Sequence, residues 1–108
     1  MDLEKFLVWG RFNAGILGRF IDDLEKVKSK ETKKQALVDL VVKKLKLVLQ
    51  TYKFAVVHEG LDLPNSKGLY RVGEKKDIRE ILAILEELKK IGFEARITQI
   101  EAILKQLI

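Results

Sequence analysis

The chain has 108 residues, of which 47% are hydrophobic and 34% charged, and its formal net charge is +5. This size and apolar content predict one folded helical domain over residues 1–108 rather than a disordered chain. The sequence has no cysteine, which excludes disulfides, thiolate metal sites and thiol nucleophiles. It also has no long uncharged apolar run and no basic leader, so we expect a cytoplasmic protein without a membrane partner. The Lys- and Glu-rich charge is typical of thermophile proteins.

The first predicted element is a helix from about Asp2 to about Lys28. Its apolar side chains cover roughly 220° of the circumference, far more than the ~100° stripe of a surface helix. Such a helix needs cover on more than one side, from other helices or from a second chain. We therefore predict an oligomer interface on this helix, formed by Trp9, Gly10, Asn13, Ala14, Leu17, Gly18 and Ile21.

Two features of this helix support close packing. Gly10, Ala14 and Gly18 are spaced four apart, which would let another backbone approach closely; a kink near Gly15 is the alternative. Asn13 lies within the apolar arc, where an amide must be hydrogen-bonded. Its partner is predicted to be a neighbouring backbone group or, alternatively, the same asparagine in a symmetric dimer.

The second predicted helix runs from Lys33 to about Val57. Residues 29–34 form a polar turn before it, and Thr32 with Gln35 has the spacing of a capping box. Apolar side chains again occupy about two thirds of the circumference. This helix should therefore pack antiparallel to the first one, and its excess apolar surface is a second reason to expect an oligomer.

The end of the second helix has two interpretations. Residues 54–57 could continue the helix, or could form a strand that pairs with residues 69–72 in a small β-hairpin. Glycine, proline and asparagine concentrate in residues 60–74, which is typical of a loop. We favour a helix to about Val57 followed by an ordered loop.

Two shorter helices complete the predicted fold. Asp77 as N-cap with Glu80 three residues later predicts the start of helix 3, and Gly92 predicts a left-handed residue after its end. Helix 4 should run from about Ala95 to the C-terminus. The fold class is therefore all-α, a four-helix antiparallel bundle with an ordered loop or small β-hairpin between helices 2 and 3.

Residues that could support catalysis or bind a metal are scarce. His58 is the only histidine, and Glu59 and Asp62 are the nearest carboxylates that could complete a cation site. Acids in such loops usually face water. The glycine-rich loop also lacks the spacing of phosphate-binding loops. We therefore predict a protein with no catalytic activity, cofactor or metal.

The positive charge makes nucleic acid a candidate partner, through phosphate contacts that need no base-specific geometry. The candidate contacts are Lys43, Lys46, Lys53, Lys67, Arg71, Lys75 and Lys76. Residues 77–108 also resemble a helix-turn-helix, in which Arg96, Thr98 and Gln99 would contact DNA. Plain bundle packing is the favoured interpretation, because helix 4 is mostly isoleucine and leucine and Glu101 would face phosphates.

These patterns leave two classes of function. The first is a non-catalytic helical module for self-association or protein interaction, with a homodimer as the first expectation. The alternative is a basic protein that binds DNA or RNA independently of sequence. We rank the interaction module first.

Overall fold

The computed structural model describes residues 3–57, 74–90, 92 and 94–108. Within these residues the chain forms four helices and no strand, which confirms the all-α class. The helices are α1 (Leu3–Glu25), α2 (Thr32–Val57), α3 (Glu74–Lys89) and α4 (Glu94–Lys105).

The start of α2 is capped differently from the prediction. The Gln35 side chain does not pair with Thr32; its Oε1 accepts the backbone N–H of Ser29 at 2.8 Å. The Ser29 hydroxyl in turn accepts the backbone N–H of Glu31 at 3.2 Å. These bonds satisfy N–H groups just before the helix, so the turn between α1 and α2 is held by side chains from both of its ends.

The strand alternative for residues 54–57 is wrong, because α2 continues to Val57. Ala55 is buried in this last turn. The proposed second strand at residues 69–72 and the predicted loop lie outside the described residues.

Helix α3 begins one turn earlier than predicted, at Glu74. Asp77 therefore lies inside the first turn, where a carboxylate still complements the helix dipole. Glu80 does not complete a capping box; it pairs with Lys44 of α2 at 2.8 Å. The predicted capping residues thus lie within α3, and one of them connects α3 to α2.

The turn between α3 and α4 contains Gly92, whose φ of +150° confirms the predicted positive φ. Its backbone N–H donates to the carbonyl of Leu88 at 3.1 Å, which closes the end of α3. At the C-terminus α4 ends at Lys105 rather than at the last residue. Beyond the end of α4, Leu107 is buried and Ile108 is exposed.

The helices contact one another in a closed cycle: α1 with α2, α2 with α3, α3 with α4 and α4 with α1. Trp9 near the start of α1 meets Ile103 near the end of α4, and Asp23 near the end of α1 pairs with Arg96 near the start of α4. Helices α1 and α4 are therefore antiparallel. This cycle is the contact pattern of a four-helix bundle.

One core contains side chains from all four helices. Helix α3 contributes an apolar stripe to this core, with Leu82 only half-buried. In α1 the ring of Phe6 stacks on Trp9, with centroids 5.7 Å apart, and meets Tyr52 of α2 edge-on at 6.0 Å. The other large buried side chains are Leu17, Leu24, Leu45, Ile78, Ile81, Leu85, Leu88, Ile97, Ile100, Leu104 and Leu107. Among the described residues, no helix is long and apolar enough to cross a membrane.

Candidate interaction surface

Three of the predicted interface residues belong to the core of the chain itself. Trp9, Leu17 and Ile21 are buried, and the Trp9 indole N–H donates to the backbone carbonyl of Ile103 at 2.9 Å. The chain's own helices therefore provide the cover that the sequence had suggested a second chain would supply. This face of α1 is not a free surface.

Gly10 allows a close approach, but the group that approaches it belongs to the same chain. A Cβ added at Gly10 would overlap the ring of Tyr52 in α2. A Cβ at Gly15 or Gly18 would meet nothing within 4 Å. The helix runs unbroken through Gly15. The small-residue row is thus used at Gly10 for packing α1 on α2, while Gly18 and Ala14 are only half-buried.

Asn13 satisfies its amide locally. Its Nδ2 donates to the carbonyl of Trp9, one turn back in α1, at 2.9 Å. This is the backbone hydrogen bond that the sequence favoured over an asparagine pair across a dimer.

The exposed apolar part of α1 lies beside this face. Val8 and Phe12 are one turn apart, and Phe12 is 72% exposed. They line an open groove of about 760 Å³, together with Trp9 and Asn13 of α1 and Gln106, which follows the end of α4. Phe12 belongs to the edge of the apolar arc predicted for this helix. Periodicity alone did not distinguish this exposed residue from the buried ones.

A longer exposed face runs along α2. The residues of this face are alternately three and four positions apart along the helix, and every one of them is exposed. We call this face the outer strip of α2; its residues are Lys33, Ala36, Leu40, Lys43, Leu47, Gln50, Phe54 and Val57. Leu47 at its middle is 54% exposed. Val38, Val41 and Leu45 are buried on the opposite side of the helix, so the strip faces away from the core.

Charged residues flank the outer strip unevenly. Asp39 and Lys53 are both exposed, near opposite ends of the strip. Between them Lys46 pairs with Glu25 of α1 at 2.9 Å. Lys46 and Lys53 also line a groove of about 340 Å³ between α1 and α2, and Asp22 lies on its other wall. The basic edge of α2 is therefore partly compensated by acids of α1.

The described candidates for nucleic-acid contact lie on two different helices. Lys43, Lys46 and Lys53 lie on α2, whereas Lys76 is exposed on α3. Lys67 and Arg71 lie outside the described residues, as does the side chain of Lys75. Among the described candidates, only the three lysines of α2 share a face.

The helix-turn-helix interpretation finds little support in α4. Arg96 pairs with Asp23 of α1, and the Thr98 hydroxyl donates to the carbonyl of Glu94 in its own helix at 2.9 Å. Gln99 lines a small groove against Phe20 of α1. The supposed recognition residues are therefore engaged within the chain or face α1.

Sequence reasoning missed one buried charge, Glu101 of α4. It is 4% exposed, and Lys89 of α3 approaches it at 2.5 Å. Glu101 is therefore part of the packing between α3 and α4, in line with the favoured interpretation of plain bundle packing. Its position was visible in the sequence, because it lies within the apolar stripe of Ile97, Ile100 and Leu104.

This cluster shifts the pKa values of its neighbours. A hydrogen bond with Glu101, followed by one with Lys89, holds the pKa of Glu86 below its usual value of 4.5. The bond with Glu101 also raises the pKa of Lys89 above 10.5. Glu86 and Lys89 are therefore both charged near neutral pH, and Lys89 provides the buried side chain of Glu101 with a partner.

Within the described part of the chain, no group of three histidine, aspartate or glutamate side chains could hold a metal ion. The predicted cation candidates His58, Glu59 and Asp62 lie outside it.

No protein-family model matches the chain, and no curated protein or solved structure matches it either. The functional proposals below therefore depend on the geometry of this chain alone.

Proposed function

We propose that this protein is a non-catalytic helical module that associates with a second copy of itself. The supporting observation is the outer strip of α2, on which Leu40, Leu47 and Phe54 are exposed at intervals of seven residues. Fully burying a side chain of this size contributes about 1.5–3 kcal/mol. Contiguous exposed apolar patches on small proteins mark interaction sites.

The exposed pair Val8 and Phe12 on α1 is a second apolar surface. It is shorter than the outer strip, because it covers a single turn of α1, and it lines a groove. We assign it a secondary role, as a contact for a protein partner or for a larger assembly.

The proposal includes the finer architecture, an antiparallel four-helix bundle with an ordered loop between α2 and α3. The contacts of α1 with α4 support the antiparallel arrangement. Protection of backbone amides in residues 58–73 from hydrogen exchange would support an ordered loop, and exchange at the rate of an unfolded chain would contradict it.

Light scattering coupled to size exclusion tests self-association directly. The monomer mass is 12.4 kDa, and we expect the measured mass to approach twice this value as the protein concentration rises. A monodisperse monomer at tens of micromolar would contradict the proposal.

Nucleic-acid binding is the second candidate, favoured by one observation: Lys43 and Lys53 are exposed on the same side of α2. We rank it below self-association because Glu25 pairs with the lysine between them and because Leu47 separates the charges. Phosphate contacts by these lysines would give binding that weakens steeply with salt.

Titration of labelled duplex and single-stranded oligonucleotides at two salt concentrations tests this candidate. Binding should weaken in a Lys43→Glu/Lys53→Glu variant and persist in the control Lys30→Glu, which changes an exposed lysine of the turn before α2. If no binding occurs even at low salt, the candidate is removed.

A further inference from the structure

We infer that the second copy docks on the outer strip of α2, and that the two α2 helices pack antiparallel about a twofold axis near the middle of the strip. This inference rests on the proposed self-association. It assigns the interface to α2, whereas the sequence had indicated α1.

The spacing of the strip supports a helix as its occupant. Its members alternate in steps of three and four residues from Lys33 to Val57, which spans about 36 Å of helix. This is the spacing with which two helices pack side by side at a crossing angle near 20°. Because the buried residues of α2 lie on the opposite side, a second helix can reach the strip without disturbing the core.

The side chains on the strip favour the antiparallel orientation. A parallel pair would place Lys43 opposite Lys43 of the second copy, which brings two like charges together between apolar layers. An antiparallel pair centred on the strip places Lys43 against Leu47 instead, where the lysine stem can cover the leucine. It also places the small Ala36 against the large Phe54.

The charged residues beside the strip are complementary only when the two helices run in opposite directions. Asp39 and Lys53 lie near opposite ends of the strip, so an antiparallel pair brings Asp39 of each copy close to Lys53 of the other. Twofold symmetry makes this contact occur twice. Lys46 lies near the axis, and its charge is already compensated by Glu25 of its own chain.

Disulfide mapping tests the surface and the orientation together, because the natural sequence has no cysteine. The antiparallel pair places Leu40 opposite Gln50 of the second copy. An equimolar mixture of Leu40→Cys and Gln50→Cys proteins should therefore form a cross-linked heterodimer on oxidation. Each protein alone should cross-link poorly, because the two equivalent cysteines of its homodimer would be offset by about 15 Å along the helices. Efficient cross-linking of each variant to itself would indicate a parallel pair and overturn the inference.

A pair of charge variants separates this inference from the proposed function. Leu47→Lys places a second positive charge against Lys43 of the second copy, at both of the symmetric contacts, and should weaken dimerisation by at least about tenfold, equivalent to about 1.4 kcal/mol. Phe12→Glu changes the exposed apolar patch of α1 and should leave dimerisation unchanged. Circular dichroism of both variants verifies that the helices are intact.

The outcomes are distinguishable. If Phe12→Glu yields monomers while Leu47→Lys remains dimeric, self-association stands and the assignment to α2 falls. If the unmodified protein is monomeric throughout, the proposed function falls and the inference falls with it.

Discussion

At the level of single residues, Gly10 determines how closely Tyr52 can lie against α1. A Cβ there would overlap the tyrosine ring, which is held edge-on against Phe6. We expect Gly10→Ala to lower the free energy of unfolding by about 1–3 kcal/mol, the usual cost of overpacking. Chemical denaturation measures this change.

Gly15→Ala is the matched control in the same helix. A Cβ at Gly15 meets nothing within 4 Å, so the substitution should stabilise the protein by up to about 1 kcal/mol through helix propensity. Equal effects of the two substitutions would contradict the close packing of Tyr52 on Gly10.

Glu101 and Arg96 belong to two ion pairs between helices, one with a buried member and one exposed. Glu101 is buried and paired with Lys89, whereas Arg96 and Asp23 pair with both side chains largely exposed. Glu101→Ala leaves Lys89 without this partner and should cost about 1–3 kcal/mol. Arg96→Ala should cost less than about 1 kcal/mol, since exposed ion pairs contribute little. Thermal unfolding of both variants checks the difference, and a larger loss for Arg96→Ala would refute it.

At the level of helices, the sequence correctly predicted the four helices that the structure describes. Helix α3 shows why: Ile78, Ile81, Leu85 and Leu88 keep helical spacing and are all buried. The boundaries were less predictable, because the capping candidates could pair elsewhere. Gln35 bonds to Ser29 instead of Thr32, and Glu80 bonds to Lys44 of another helix. The spacing of a capping box does not show that its members have other partners, either in the preceding turn or on another helix.

The inter-helix ion pairs predict how stability depends on pH. The hydrogen bond between Lys44 and Glu80 lowers the pKa of Glu80 below 4.5 and raises the pKa of Lys44 above 10.5. A lowered carboxyl pKa stabilises the fold above pH 4.5, and this contribution is lost as pH falls through the folded-state value. A raised lysine pKa stabilises the fold below pH 10.5, and this contribution is lost as pH rises through the folded-state value.

We therefore expect unfolding temperature to decline on the acid side of 4.5 and on the alkaline side of 10.5. The variant Glu80→Gln removes this pair and should show a shallower decline on both sides. Thermal scans over the full pH range measure the effect. An unchanged profile in Glu80→Gln would show that the pair contributes nothing to the pH dependence.

At the level of the whole molecule, the wide apolar arcs correctly predicted that α1 and α2 are covered on more than one side. The sequence did not show whether helices of the same chain or of a second chain supply this cover. Periodicity gives the angular width of an arc and not the number of neighbouring helices. In the structure α1 contacts both α2 and α4, and α2 contacts both α1 and α3. This in-chain cover buries Trp9, Leu17 and Ile21, which the sequence had assigned to an interface.

What the bundle leaves uncovered on α2 is narrower than the predicted arc. Leu40 and Leu47 belong to the apolar two thirds of the helix circumference, yet they lie on the side opposite the buried Val41 and Leu45. A helix with neighbours on one side cannot bury a row on its other side. Which row of α2 remains exposed therefore depends on the positions of α1 and α3, and the periodicity of α2 does not give these positions.

Self-association through this row makes thermal stability depend on protein concentration, because binding that occurs only between folded chains shifts unfolding by mass action. Above the dissociation constant, each tenfold rise in concentration should contribute up to about 1.4 kcal/mol per dimer. For a chain of this size, about 1 kcal/mol corresponds to a shift of roughly 4 °C in unfolding temperature. Calorimetric scans at several concentrations should therefore show an upward drift in the unmodified protein. The same scans on Leu47→Lys should show little drift, and those on Phe12→Glu should match the unmodified protein. An equal drift in all three proteins would place the association outside both exposed apolar surfaces.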